Sequence, residues 1–145
     1  MILLDTNVIS ELMKPNPDQG VVNWLDSQFV STLYICAVTR AEIELGIALL
    51  PAGRRRQSIS RAAQNVFTRF SGRCLAFDEM AAVQYAHIVA GRSQQGRPIH
   101  VEDAQIAAIA LASGLQLATR NVKDFTDIPG LNLLNPWRGG GNEGE

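Results

Sequence analysis

The chain has 145 residues, 46% of them hydrophobic and 19% charged, with a formal net charge of −1. That length and balance suit one globular domain and exclude a wholly disordered chain, which buries too little apolar surface to offset its entropy. The near-zero charge excludes a uniformly basic nucleic-acid coat, and two cysteines cannot frame a disulfide scaffold.

The opening run Met1-Ile2-Leu3-Leu4 reads as a strand buried on both faces, ended by Asp5-Thr6-Asn7. Thr6 or Asn7 is placed to cap a short helix to Met13, which Pro15 and Pro17 stop. A second short helix fits residues 18–27, and Leu33 to Val38 reads as a second strand. Thr39-Arg40-Ala41-Glu42 has the spacing of a capping box, opening a helix towards Leu50. Pro51-Ala52-Gly53 breaks it, and an Arg-rich helix follows to about Ser71. Cys74 to Phe77 is a third strand, and Asp78 caps a helix from Glu79 to about Ser93.

After a loop at 94–98, an Ala-rich helix spans Val101 to Ser113, with Gly114 placed to close it. Leu115 to Thr119 is a fourth strand, and Leu131 to Leu134 a fifth at a sheet edge. Short apolar strands alternating with helices predict an α/β fold, a three-layer α/β/α sandwich on a four- to five-stranded parallel sheet. One domain is expected over residues 1–137, with the Gly-rich tail 138–145 disordered. Cys36 and Cys74 sit in apolar runs and are expected as buried thiols. Asp5 interrupts the apolar start too early for a signal peptide, and no run reaches the roughly 18–20 residues that span a bilayer. A cytoplasmic chain without membrane contact is expected.

Ligands of open parallel sheets bind beyond the carboxyl ends of the strands. Asp5 follows the first strand, Glu42 lies one turn into the helix after the second, Asp103 opens the helix before the fourth, and Asp124 lies beyond that strand. Converging carboxylates repel each other, and a hard divalent cation relieves the repulsion. Mg²⁺ or Mn²⁺ suits such oxygen donors better than Zn²⁺, since no Cys or His stands at zinc-like spacing. His87 and His100 are read as structural or solvent-facing, with His100, close to Asp103 in sequence, also placed where it could line the cleft. Alternatives stand beside each acid: Asp5 as a turn residue, Glu42 reaching back to Thr39 in the capping box, Asp103 complementing a helix dipole. Asp78 is read as a cap, and Glu44 points away from Glu42.

The strings Met-Ile-Leu-Leu-Asp5-Thr6-Asn7, Thr39-Arg-Ala-Glu42-Ile-Glu-Leu-Gly46, Asp103-Ala-Gln-Ile-Ala-Ala and Leu117-Ala-Thr119-Arg120-Asn121-Val-Lys-Asp124-Phe125 occur in that order. With Phe77-Asp78-Glu79 and Asn135-Pro136-Trp137, they resemble the PIN-domain ribonucleases, specifically VapC-type toxins of the FitB-like branch. The likeness covers residues 1 to about 137. It implies a PIN-like fold and metal-dependent endonucleolytic cleavage of RNA with Mg²⁺ or Mn²⁺. Carried over, Asp5 and Asp103 become metal ligands and, with Glu42 and Asp124, the catalytic acids. Some relatives carry an acid directly after the Thr-Arg pair, where this chain has Asn121. Thr6, Asn7, Thr119, Arg120 and Asn121 fall where they would support the acids or meet phosphate. The resemblance also implies a homodimer and a cognate VapB/FitA-type antitoxin in a higher hetero-oligomer that reaches DNA only through the antitoxin.

Arg54, Arg61, Arg69 and Arg73 fall on one helical stripe, read either as a phosphate track or as a solvated face. Two other function classes compete with the nuclease. One is a catalytically weak module that acts by binding within a DNA-bound complex, favoured by Asn121. The other is a receiver-type phosphoacceptor domain, disfavoured because Asp5 alone follows the first strand.

Overall fold

The computed structural model describes residues 1–138 together with Gly141 and Asn142. In chain order the elements are β1 (Ile2–Leu4), α1 (Thr6–Leu12), α2 (Gln19–Asp26), β2 (Leu33–Cys36), α3 (Ala37–Ala48), α4 (Arg54–Arg69) and β3 (Cys74–Leu75). There follow α5 (Glu79–Gln94), α6 (Val101–Ser113), β4 (Gln116–Ala118), α7 (Val122–Phe125), β5 (Leu133–Asn135) and β6 (Gly141–Asn142). Short 3₁₀ turns at Val30–Thr32 and Pro136–Arg138 precede β2 and follow β5.

The sheet order is β3-β2-β1-β4-β5-β6, with the first five strands parallel and β6 antiparallel to β5. Side chains alternate across the sheet and seed two separate cores. Ile2, Leu4, Leu33 and Ile35 point towards Val8 and Ile9 of α1, Val21 and Trp24 of α2, and Val66 and Phe67 of α4. Leu3, Cys36, Leu117 and Leu133 point the other way, into α5 and α6. The small side chains of Ala104, Ala107, Ala108 and Ala110 are fully buried and let α6 lie close against that layer. The three-layer α/β/α sandwich expected from the alternating pattern is the observed fold, with five parallel strands.

Several local readings change. The strand expected at a sheet edge, β5, is flanked outside by β6. Residues 139, 140 and 143–145 of the expected disordered tail lie outside the described residues. Asp5, rather than Thr6 or Asn7, caps α1, because its carboxylate reaches the Thr6 N–H at 2.8 Å. The capping box at Thr39 does not form: α3 begins earlier, at Ala37, so Thr39 is already helical and fully buried. Cys36 is buried as expected, but Cys74 is exposed, because β3 is a two-residue edge strand. Gly114 ends α6 in the left-handed conformation, φ 68°, where a side chain would be strained.

Because β4 lies between β1 and β5, Leu117 carries no solvent exposure and sits at the centre of the sheet. Leu117→Ala is expected to cost about 2–5 kcal/mol of stability, read as a lower midpoint in urea unfolding with an unchanged slope.

Candidate active site

The order in which strands are added reverses at β1: β2 and β3 lie on one flank, β4 and β5 on the other, all parallel. Such a switch point opens a crevice at the carboxyl ends of the strands. Here the crevice is a cavity of about 390 Å³ lined by Asp5, Glu42, Asp103 and Asn121, among others.

Asp5 is fixed first. Its N–H donates to the Ala118 carbonyl at 2.9 Å, continuing the β1–β4 ladder by one residue. The residue is 4% exposed. One carboxylate oxygen accepts from the Thr6 N–H at 2.8 Å, the other from Thr119 Oγ1 at 2.7 Å and from Asn7 Nδ2 at 3.2 Å. Burial nevertheless dominates and pushes the Asp5 pKa up to about 6; the hydrogen bonds oppose the rise, while Asp103 and Glu42 add to it. Asp103, in the first turn of α6, is also raised, by burial first and then by Asp124.

Thr6 and Thr119 serve the acids as relays. The Thr6 hydroxyl donates to Glu42 Oε1 at 2.7 Å. Its one proton is thereby used, so the 3.0 Å contact with Thr39 is donated by Thr39, which accepts in turn from the Cys36 thiol. The resulting chain runs Cys36 to Thr39 to Thr6 to Glu42 and fixes the Glu42 carboxylate. Burial raises the Cys36 pKa, so its thiol stays protonated as the donor that this chain needs. Thr119, fully buried, spends its proton on Asp5 and accepts from Asn7 Nδ2 at 3.3 Å and the Asn121 N–H at 3.0 Å. Asn7 Oδ1 takes the Arg120 N–H at 3.3 Å. Asn7 and Thr119 thereby tie the start of α1 to the end of β4.

Of the four expected acids, Asp5, Glu42 and Asp103 line the cavity and Asp124 does not. Asp124 sits exposed on α7 and lines a neighbouring depression with Arg120, Asn121 and Lys123. α7 is pinned there from behind by buried Arg92, whose Nη2 donates to the carbonyls of Asp124 at 2.7 Å and Thr126 at 2.9 Å. Asp124 therefore acts on Asp103 through its charge, while Asn121 holds the cavity position. Glu42 bonds Thr6 and not the helix start, so its capping reading is replaced. Glu44 is exposed and absent from the cavity lining, as its spacing predicted.

Glu11, Lys14, Ser10 and Trp137 also line the cavity and were not anticipated. The signal for the first three was the helical spacing of Asn7, Ser10, Glu11 and Lys14, of which the first three share a face of α1 and Lys14 follows just past its end. Arg73 leaves the expected arginine stripe: it lies beyond α4 and its Nε donates to the Leu33 carbonyl at 2.9 Å.

The donor chemistry fits a hard divalent cation. Oxygen donors alone face the cavity from the acids, and no His or Cys lines it, which disfavours zinc. Among the described residues no three acidic, imidazole or thiol side chains gather tightly enough to cage an ion. Mg²⁺ needs no cage, because it keeps several waters and takes one or two carboxylates.

Comparison with known proteins agrees with this architecture. The PIN domain family model matches residues 2–131. The chain belongs to the PIN-domain family. It is 44% identical over 138 residues to the VapC ribonuclease Y4jK of Sinorhizobium fredii, covering 94% of this chain and 98% of that protein. It is 42% identical over 140 residues to the toxin FitB of Neisseria gonorrhoeae, covering 94% and 99%. A solved structure of FitAB bound to an IR36 DNA fragment superposes with a TM-score of 0.85 at 41% identity, over 94% of this chain and 96% of that one. Among the described residues no helix is long and apolar enough to cross a membrane.

Because burial favours the protonated carboxyl, native Asp5 keeps a proton between about pH 4 and 6 that the unfolded chain, near its ordinary 3.8, has released. Stability from this residue therefore falls as pH rises through that window. Asp5→Asn removes the fall: relative to the parent it gains up to about 3 kcal/mol between pH 4 and pH 8, measured by urea unfolding at both pH values.

Proposed function

We propose that this PIN-domain protein is a Mg²⁺- or Mn²⁺-dependent endoribonuclease, the toxin of a toxin–antitoxin pair of the VapBC and FitAB kind. The observation that carries the reading is the meeting of Asp5, Glu42 and Asp103 around one cavity at the sheet's carboxyl edge, in a chain 44% identical to a VapC ribonuclease. Asp5 and Asp103 are the residues that would hold the cation. When bound, it supplies positive charge against the phosphoryl oxygens and acidifies water at the site.

The chain's own groups do the rest. Glu42 Oε1 accepts from Thr6, and the reading gives the other carboxylate oxygen the task of accepting a proton from an attacking water. Asn121, which lines the same cavity, takes the task of orienting water or substrate there. Asp124 adds negative charge behind Asp103, which strengthens Asp103 as a cation ligand. Thr119 and Thr6 keep both acids from swinging away while water and substrate exchange.

For partners, the reading takes an RNA substrate, a homodimer, and a VapB/FitA-type antitoxin that neutralises the cavity and brings the complex to DNA. It places the protein in the cytoplasm.

The test is cleavage of pooled cellular RNA by the antitoxin-free chain. Cleavage is expected with Mg²⁺ or Mn²⁺ and not in EDTA, and Asp5→Asn and Asp103→Asn are each expected to slow it about 10²-fold or more. Cleavage that survives both substitutions removes the acids from the reaction. An inert chain that still binds Mn²⁺ transfers the function to binding alone.

A further inference from the structure

The reaction above engages one end of the cavity. From its acids, the Asn7, Ser10 and Glu11 face of α1 continues along the wall, and Lys14, two residues past the end of the helix, extends it. We propose that Lys14 and Arg120 make this far end a phosphate-binding site, holding the backbone of single-stranded RNA beside the linkage that the acids address. The proposal rests on the endoribonuclease reading and deepens it.

Lys14 is held in place. The Glu11 side chain is 6% exposed, and its carboxylate accepts from Lys14 Nζ at 3.0 Å and from the Asp18 N–H at 3.0 Å. Those bonds, with help from Arg120, keep Glu11 below the usual carboxylate range and therefore ionised. One ammonium proton of Lys14 is spent on Glu11; two remain for a phosphate. Its side chain is 57% exposed, so a ligand reaches it without rearrangement of the fold.

Arg120 is held by a different device. Its guanidinium lies over the Trp137 ring, 5.2 Å from the centroid. Trp137 is placed by the 3₁₀ turn after β5, where its N–H donates to Asn135 Oδ1 at 3.0 Å. The Asn135-Pro136-Trp137 string thereby acquires a task, that of presenting an aromatic surface under a cation. Trp137 is a positioning residue, acting through Arg120.

Charge decides the ligand class. Two cations share one buried carboxylate at this end, against three acids at the other. The cavity is bipolar. A phosphodiester chain satisfies both ends, with one phosphate on Lys14 and Arg120 and the next approaching the acids through a divalent cation. An acidic peptide would satisfy one end and be repelled at the other.

The test is binding of a short fluorescein-labelled single-stranded RNA to the full chain, by anisotropy over a salt series, with Ca²⁺ replacing Mg²⁺ so that binding is read apart from cleavage. Lys14→Met is expected to raise Kd about tenfold and to flatten the slope of log Kd against log salt by about 0.7, the signature of one lost phosphate contact. Lys14→Arg restores both, and Trp137→Leu weakens binding in the same direction. A Lys14→Met protein with unchanged Kd and slope overturns the proposal. So does a wild-type chain that binds no RNA, or one whose oligo-glutamate binding, rather than RNA binding, depends on Lys14. RNA binding that depends on Lys14 in a chain that never cleaves would sink the nuclease reading and leave this site standing.

Discussion

A carboxylate with almost no access to water ends the central strand of this protein, and much of the surrounding structure answers that fact. Asp5 is reached by donors from the first turn of α1 and from the residue after β4. Those donors exist together only if β1 and β4 are neighbours and α1 starts at once. The strand order at the switch point, the cap of α1 and the burial of Thr119 are thus parts of one requirement. The requirement is only partly met. Three hydrogen bonds do not cancel the cost of removing the charge from water, and the pKa stays near 6. A site that is uncomfortable with its own charge is suited to a cation.

Hydroxyl groups carry most of the positional information. Threonine has one proton, so each contact dictates the direction of the next. The run from Cys36 through Thr39 and Thr6 to Glu42 crosses from the end of β2 through α3 to α1. Such a chain fixes Glu42 without a cationic partner, which would compete with a metal ion for the same oxygens. On the other side Arg92 holds α7 by its backbone carbonyls alone, leaving the Asp124 carboxylate out of the bond.

Much was legible in the linear chain. Strand and helix types follow from apolar runs and capping residues, and Asp5 and Asp103 announce themselves by standing at strand and helix ends. Glu42 was found by its place one turn after the second strand, and its rival reading as the partner of Thr39 in a capping box fails because α3 starts before Thr39 and both side chains bond Thr6. Between Asp124 and Asn121 the linear chain left the fourth position open; the short helix α7 leaves Asn121 in the cavity lining and Asp124 in the neighbouring depression. Glu11 and Lys14 escaped notice because a helix face reads as an ordinary ion pair until something stands opposite it.

By itself the sequence determined the element types, the layered α/β architecture and the family, because these rest on local periodicity and on ordered strings. It also determined which acids precede or follow strands. Only the tertiary structure decided which of them share a cavity, which hydroxyl serves which carboxylate, and that a lysine and an arginine occupy the far wall. The physical reason is that convergence depends on strand order and on the rotation of each helix about its axis. One residue's difference in where a helix begins turns a side chain by about 100°. No local pattern encodes that angle, and packing against both faces of the sheet fixes it.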